Sequence, residues 1–380
     1  MTSRERLLTV LRGEIPDCVP VAPDFSNMIP AKLTGKPWWD IYLYNDPPIF
    51  EAYVECAKKF DIDSLMDDYF PFQYPWQVEE EERFEQENPR YIVAETPEFI
   101  ATRRRTPSGE WFKTIDVYWV NQTPALATAP ANVGLPEIPA SYRPLTGVKK
   151  FDRGPEGLKK LKERLGDQGL VGIWGASTCV INSPEALYHY VDHPEETPKI
   201  VEERIAEVER RMAYLRGLSP ECRPDFICVG GSGSLILQTI EMVRELAFPA
   251  VRRCIELATE QGYFTHVHSC GPETALVKLL VENTALTVID PLEIPPKGDC
   301  DLAELKRLYG ARIVLKGNLH TTDVMLKGAV DDVVAASKAA IDAAKAGGRF
   351  ILSTGDQCGR DTPFENLEAM VRTARTYGRY

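Results

Sequence analysis

No stretch of the sequence comes near the run of about 20 apolar residues that a membrane-crossing helix requires, so no membrane partner is expected. Clusters of Lys and Arg are missing too. The 44 basic residues are outnumbered by 56 acidic ones, a formal net charge of −12, which argues against nucleic acid as a partner. The nine cysteines form no C-x-x-C pair and are odd in number. Scattered in this way they read as reduced thiols rather than a disulfide framework. There is no internal repeat and no low-complexity tail. The opening "MTSRERLLTVLRGEIPDCVPV" has a charged start and an apolar run, but Arg12 and Glu14 break that run at once. It reads as a short amphipathic helix rather than a targeting signal, and the expected location is the cytoplasm.

What is present is the composition of an ordinary globular protein, 44% hydrophobic and 26% charged over 380 residues. Short β-rich runs alternate with long helical patterns. Eight runs qualify as strands: "VPVAP" (19–23), "DSLM" (63–66), "VGIWGA" (171–176), "FICVGG" (226–231), "YFTHVHS" (263–269), "LTVIDPLE" (286–293), "RIVLKGN" (312–318) and "RFILSTG" (349–355). Helical stretches are expected between them, among them 184–218, 235–261, 272–283 and 329–346. Eight strand–helix units predict an α/β fold of the (β/α)8 TIM-barrel type, in a single domain spanning 1–380. A doubly wound sheet is the runner-up, but the glycines that would cradle phosphate after its first strand are missing.

The alternation fails from about 69 to 152. There "RRRTPSGEWFKTIDVYWV" reads as a hairpin about a Pro-Ser-Gly turn, and "TPALATAPANVGLPEIPASYRPL" as a proline-rich loop. The segment is expected to be an insertion between barrel strands two and three, a cap over one mouth. Aromatics crowd the 38–76 stretch. They form either a packed helix and loop or the wall of a pocket for a flat apolar ligand. Tyr69, Phe70, Phe72 and Trp76 follow strand two, where barrel enzymes carry active-site loops, and are the candidate substrate contacts.

Three constellations fall at the C-terminal ends of predicted strands, the catalytic face of a barrel. "FTHVHSCGPE" puts His266, His268 and Cys270 on one side of a strand. "DPLE" supplies Asp290 and Glu293, and "STGDQCGRDTP" supplies Asp356 and Cys358. "GNLHTTD" adds Asn318 and His320 as catalytic candidates. Imidazole and thiolate are preferred zinc ligands and a carboxylate can complete the tetrahedron. His268, Cys270, Glu293 and Cys358 would give one nitrogen, two sulfurs and one oxygen. His266, deeper in the strand, is expected to pack the interior or to line the substrate side. "GGSGS" (230–234) and Cys179 are weaker candidates, and His189 and His193 read as surface or packing residues.

With these residues in place, the chain resembles the uroporphyrinogen decarboxylase superfamily. The resemblance rests on "RERLLTVLRGEIPDCVPV", "HSCGPE", "KGNLHTTDVMLKGAVDDV" and "GGRFILSTGDQCGRDTPFENLEAMVRTARTYG". The haem-pathway decarboxylases carry an arginine-rich "RQAGRY"-like element near the N-terminus, where this chain has "PDFSNMIPAKLTGKPWW". The other branch, zinc-dependent corrinoid-linked methyltransferases, has an H-x-C zinc pattern with a distant C-terminal cysteine, matched by His268, Cys270 and Cys358. Glu293 stands where the related site of cobalamin-independent methionine synthase supplies a glutamate. Against the coenzyme M methyltransferases, Asp356 lies nearer the ligand column than Cys358, so either residue is the C-terminal ligand.

The resemblance implies a zinc ion and a methyl-accepting corrinoid carried by a separate corrinoid-binding protein. The small methylated donor is expected to be a methoxylated aromatic, which would be O-demethylated. Methyl transfer from a methylcobamide to a thiol or to tetrahydrofolate is the alternative within the fold. A metal-free, decarboxylase-like enzyme using Asp67 or Asp68 with Asp356 is a further one, and a non-catalytic binding protein the last. Acidic barrels with capped faces often pair, so a homodimer is an expected assembly.

Overall fold

The computed structural model describes residues 1–67 and 69–380; Asp68 lies outside the described residues. The backbone divides into two compact units. Met1–Asp24, Ala57–Pro71 and Leu158–Tyr380 form the first, and Phe25–Cys56 with Phe72–Gly157 the second.

The first unit is built on seven parallel strands: Ser64–Met66, Gly169–Trp174, Phe226–Cys228, Phe264–His268, Val288–Asp290, Val314–His320 and Phe350–Gly355, paired in that order. Residues 19–23 supply the eighth stave. The Leu352 amide donates to the Pro20 carbonyl, and the Ala22 amide donates back to Leu352, while on the other side the Asp63 amide donates to Val21. The last strand is thereby joined to the first, and the unit is a (β/α)8 barrel.

Strand side chains alternate, so every second residue faces inward. The innermost cluster takes Ala22, Leu65, Leu170, Phe226, Val288, Val314 and Ile351, with Phe264 packed against it. That is one residue from each of the eight staves. The helix Ser3–Leu11, started by a Thr2/Glu5 capping box, adds Leu7, Val10 and Leu11 and plugs the N-terminal end. Two residues further along the same inner faces the side chains change character. Asp67, Cys228, His266, Asp290, Lys316 and Ser353 occupy that next layer, so an apolar floor carries a polar tier beneath the C-terminal mouth.

The helical segments follow the expected stretches, with breaks where proline removes an N–H. The 184–218 stretch divides into Pro184–Asp192 and Thr197–Arg216 around Pro194. The 235–261 stretch becomes helical only at Ile240 and widens into a π-helical turn over Val243–Ala247, ahead of Pro249.

The second unit carries a five-stranded antiparallel sheet, in the order Ala125–Thr128, Ile115–Trp119, Phe99–Arg104, Arg90–Glu95, Arg143–Pro144. The expected hairpin is its centre, with Phe99 opposite Trp119 and Thr102 opposite Asp116. The stretch read as loop contributes both edge strands, and Pro144 is tolerated there because an edge needs no further donor. Much of the aromatic run packs this unit. Trp38 and Ile41 share one buried cluster, while Trp39, Tyr42 and Tyr44 pack against another formed by Leu43, Ile92, Ile100 and Tyr118.

Candidate metal centre at the barrel rim

His268 ends the strand Phe264–His268, and Cys270 follows on the loop. Asp356 is the first residue beyond the strand Phe350–Gly355, with φ at +88°, a left-handed turn that a non-glycine residue adopts only when its surroundings hold it there. The imidazole, thiol and carboxylate of His268, Cys270 and Asp356 present donor atoms that all lie within 4.8 Å of one another.

The ring of His268 is held from behind. Its Nδ1 lies 3.2 Å from Asp290 Oδ1, and its Nε2 points outward, 3.6 Å from Asp356 Oδ1. The same Asp290 oxygen lies 2.9 Å from His266 Nε2, whose ring places Nδ1 3.4 Å from Asp67 Oδ2. The Lys316 ammonium pairs with the other Asp290 oxygen. All of this is interior: Asp290 and His266 are each 1% exposed and Lys316 5%. Burial alone would neutralise such groups, yet their mutual attraction prevails. Lys316 and the two imidazoles hold the Asp290 carboxyl well below its usual range, and Asp290 and Asp67 raise Lys316. Burial lowers the proton affinity of His268, but Asp290, Cys270 and Asp24 overcome it and raise it well above an ordinary histidine. For Asp356, burial dominates and pushes the carboxyl up.

Cys270 also has a hydroxyl and a carboxylate-held turn beside it. Ser232, from the "GGSGS" loop, sits with its Oγ 3.0 Å from Cys270 Sγ. The Gly271 amide, at φ +86°, donates to Glu293 Oε2 at 2.7 Å, which places Glu293 just behind the cysteine. Gly230 presses on the strand from the other side: a Cβ there would meet the His268 amide nitrogen at 2.3 Å and its carbonyl oxygen at 2.5 Å. Gly230→Ala is therefore expected to displace His268 and cost about 1–3 kcal/mol of stability, the range for overpacking. Urea unfolding combined with the imidazole NMR signals would register both, and an unshifted His268 resonance would contradict the contact.

The other candidates are placed as follows. Cys358 is fully buried, its thiol against Thr354 and Thr362, and burial pushes it up to about 12. Asn318 donates from Nδ2 to the Leu292 carbonyl at 3.0 Å. His320 Nδ1 accepts from the Asp323 amide at 3.0 Å and so caps the π-helical turn Thr321–Leu326. The Tyr69 hydroxyl donates to Asp24 Oδ1 at 3.0 Å, and Phe70 is buried in the same unit. Phe72 and Trp76 belong to the second unit and pack on Tyr74, edge-on at 5.2 Å and stacked at 4.8 Å. His189 and His193 are exposed; His193, Glu195 and Glu196 form a second group of donor side chains on the surface. Sequence reasoning passed over Lys316. Its signal was a lysine inside the apolar run "RIVLKGN", at an inward position of a strand, where a charge is costly unless paired.

Zinc bound at about 2.0–2.3 Å holds its ligand atoms roughly 3.5 Å apart; His268 Nε2 and Asp356 Oδ1 are 3.6 Å apart, and all three donors lie within 4.8 Å. A carboxylate behind the histidine is the usual way a zinc-ligating imidazole is oriented. The charges agree: Asp24, Asp67, Asp290, Glu293 and Asp356 act on the site, against Lys316 and the imidazoles. The residues present therefore fit a divalent cation.

Residues 207–377 match the family model described as uroporphyrinogen decarboxylase (URO-D). The match covers "HSCGPE", "KGNLHTTD" and most of the C-terminal motif, so the resemblance read from those segments holds. No curated protein matches the chain. Among solved structures, a methyltransferase from Methanosarcina mazei is similar over 99% of both chains, at 16% identity and a TM-score of 0.59; this supports the fold. A B12-independent methionine synthase from Shewanella sp. W3-18-1, in complex with selenomethionine, aligns over 95% of this chain and 97% of its own. Its identity is 12% and its TM-score 0.44, too low to bear on the argument. No helix among the described residues is long and apolar enough to cross a membrane.

Proposed function

We infer that this chain, whose residues 207–377 carry a uroporphyrinogen decarboxylase-type domain, is a zinc-dependent methyltransferase. It moves a methyl group from a small methylated donor, in our reading a methoxylated aromatic, to the cobalt of a separate corrinoid protein. The observation that carries the reading is the convergence of His268, Cys270 and Asp356 at the C-terminal rim, with Asp290 behind the histidine.

The chemical difficulty is the leaving group. Transfer of the methyl group to a reduced corrinoid would break the C–O bond and leave its electron pair on oxygen as a phenolate. Zinc held by His268, Cys270 and Asp356 would act as a Lewis acid toward that oxygen. The chain's own residues prepare the site. His268 offers Nε2 because Asp290 occupies its Nδ1 side. Ser232 supports the Cys270 sulfur, and Glu293 fixes the turn at Gly271. Of the two aromatic candidates within the barrel unit, Tyr69 is less buried than Phe70 and, anchored through its hydroxyl to Asp24, is the one for contact with the donor ring. The raised proton affinity of Asp356 also suits a proton donor, and this keeps a metal-free, decarboxylase-like reading as the alternative.

The test is metal content followed by turnover. Purified protein is expected to hold stoichiometric zinc. Mixed with a cobalt(I) corrinoid protein and a methoxyarene, it is expected to consume the cobalt(I) absorbance at a rate proportional to enzyme. A chain that never acquires zinc would sink the reading in favour of the metal-free one. Zinc without turnover on ethers, but with turnover from methylcobamide to a thiol or tetrahydrofolate, would move the assignment within the fold.

A further inference from the structure

We propose that Lys316 is a positioning residue for the metal centre: by holding Asp290 Oδ2 it turns Oδ1 toward both imidazoles and thereby sets the ring of His268. The inference rests on the zinc reading above and concerns a residue that pairs with Asp290 rather than with any of the three ligands.

The geometry is one of shared acceptance. Asp290 Oδ1 lies 2.9 Å from His266 Nε2 and 3.2 Å from His268 Nδ1. One oxygen can serve two rings only by accepting from both, so each ring presents an N–H to it. For a neutral His268, the form that binds a metal, that choice leaves the lone pair on Nε2, the nitrogen facing Cys270 and Asp356. Two donors on one oxygen leave the other oxygen in need of a partner, because a buried carboxylate with an unpaired oxygen is costly. At 1% exposure water cannot supply it. Lys316 reaches Oδ2 from the neighbouring strand and completes the arrangement.

His266 cannot replace this contact. It binds the oxygen that His268 uses, and its remaining nitrogen is turned to Asp67 at 3.4 Å. Without the ammonium, Asp290 is free to rotate toward His266 alone, and His268 loses its stop. The ladder supports the same division of labour. Asp290 stands beside His268 in register, and Lys316 projects inward from the strand after Val288–Asp290. The order from interior to rim is thus ammonium, carboxylate, imidazole, metal site, and each member fixes the next.

The experiment compares wild type with Lys316→Met, Lys316→Gln and Lys316→Arg, using zinc and cobalt(II) alone as probes. Zinc affinity is measured by chelator competition, histidine coordination by the visible spectrum of bound cobalt(II), and folding by the thermal midpoint of the metal-free protein. Lys316→Met is expected to lose about 10-fold in zinc affinity, the low end of the range for direct partners of metal ligands because Lys316 acts one residue further back, and to shift the cobalt(II) bands. Lys316→Gln, which keeps a donor without the charge, is expected to fall between, and it reads the effect should the methionine variant not fold. Lys316→Arg, which keeps the cation, is expected to restore most of the affinity. Variants that bind zinc as tightly as wild type with unshifted cobalt(II) spectra overturn the positioning role and leave the zinc reading intact. Wild-type protein that takes up neither metal overturns the zinc reading itself, and the positioning role with it.

Discussion

Protein carrying Cys270→Ala is expected to leave purification without zinc and to leave a cobalt(I) corrinoid protein unmethylated. Zinc bound by protein side chains contributes about 10–16 kcal/mol. Losing one of a few ligands therefore costs about 3 kcal/mol, roughly a hundredfold in affinity. His268→Ala is expected to do the same. The sharper comparison is between Asp356→Ala and Cys358→Ala. Asp356 shares the cluster with His268 and Cys270, whereas the Cys358 thiol is buried against two threonines and pushed up to about 12. The Cys358 sulfur lies outside that group of converging donor atoms. Asp356→Ala is accordingly expected to lower zinc affinity about as much as Cys270→Ala, and Cys358→Ala to retain the metal. Chelator competition on the three variants decides the matter. Loss of zinc confined to Cys270→Ala and Cys358→Ala would hand the third ligand to the sulfur.

The second large effect lies at the other end of the barrel. Asp63, fully buried, receives Arg6 Nη1 at 2.6 Å on Oδ1, and Arg375 Nη1 at 2.7 Å together with the Val21 amide at 2.7 Å on Oδ2. One carboxylate thus ties the first helix, the first stave and the last helix. Asp63→Ala would leave two guanidinium groups deprived of a buried counter-charge and one amide without its acceptor. Breaking a buried pair in this way costs about 3–5 kcal/mol, a large part of the 5–15 kcal/mol that typically holds a domain together. A marked fall in the urea midpoint is expected. Asp17→Ala, which removes the exposed second partner of Arg6, is the milder control. Equal effects from the two substitutions would show that the knot does not govern closure.

Much of the barrel is legible in the sequence because its staves are short β-rich runs separated by long helical patterns, and all eight runs carry ladder hydrogen bonds at or near their expected bounds. The rim around His268 and Cys270 is legible for a related reason: inward residues recur with period two, so a polar residue at the end of such a series faces the mouth. Period two stops at Gly355. The left-handed turn at Asp356 breaks the alternation, and counting along the strand therefore could not choose between Asp356 and Cys358. Lys316 was hidden in an apolar run that reads simply as a buried strand. The Asp63 knot joins residues 57 and 312 positions away, and no local pattern announces partners at such distance. The aromatic run was ambiguous because packing residues and pocket walls draw on the same side chains. Trp38 and Tyr42 pack the second unit, while Tyr69 stands in the first.

The pairing of residues 19–23 with the last strand has a consequence for how the molecule is made. Ser353 Oγ donates to the Ala22 carbonyl across 331 positions of chain, and the Leu352 ladder contacts span a similar length. At about 5–20 residues per second of synthesis, the first stave waits roughly 20 to 60 s for its second neighbour to be made. During that interval an apolar strand and the amphipathic helix before it have no barrel to enter. Until the last strand is made this segment is exposed to capture and aggregation, and it is among the last of the staves to find its place.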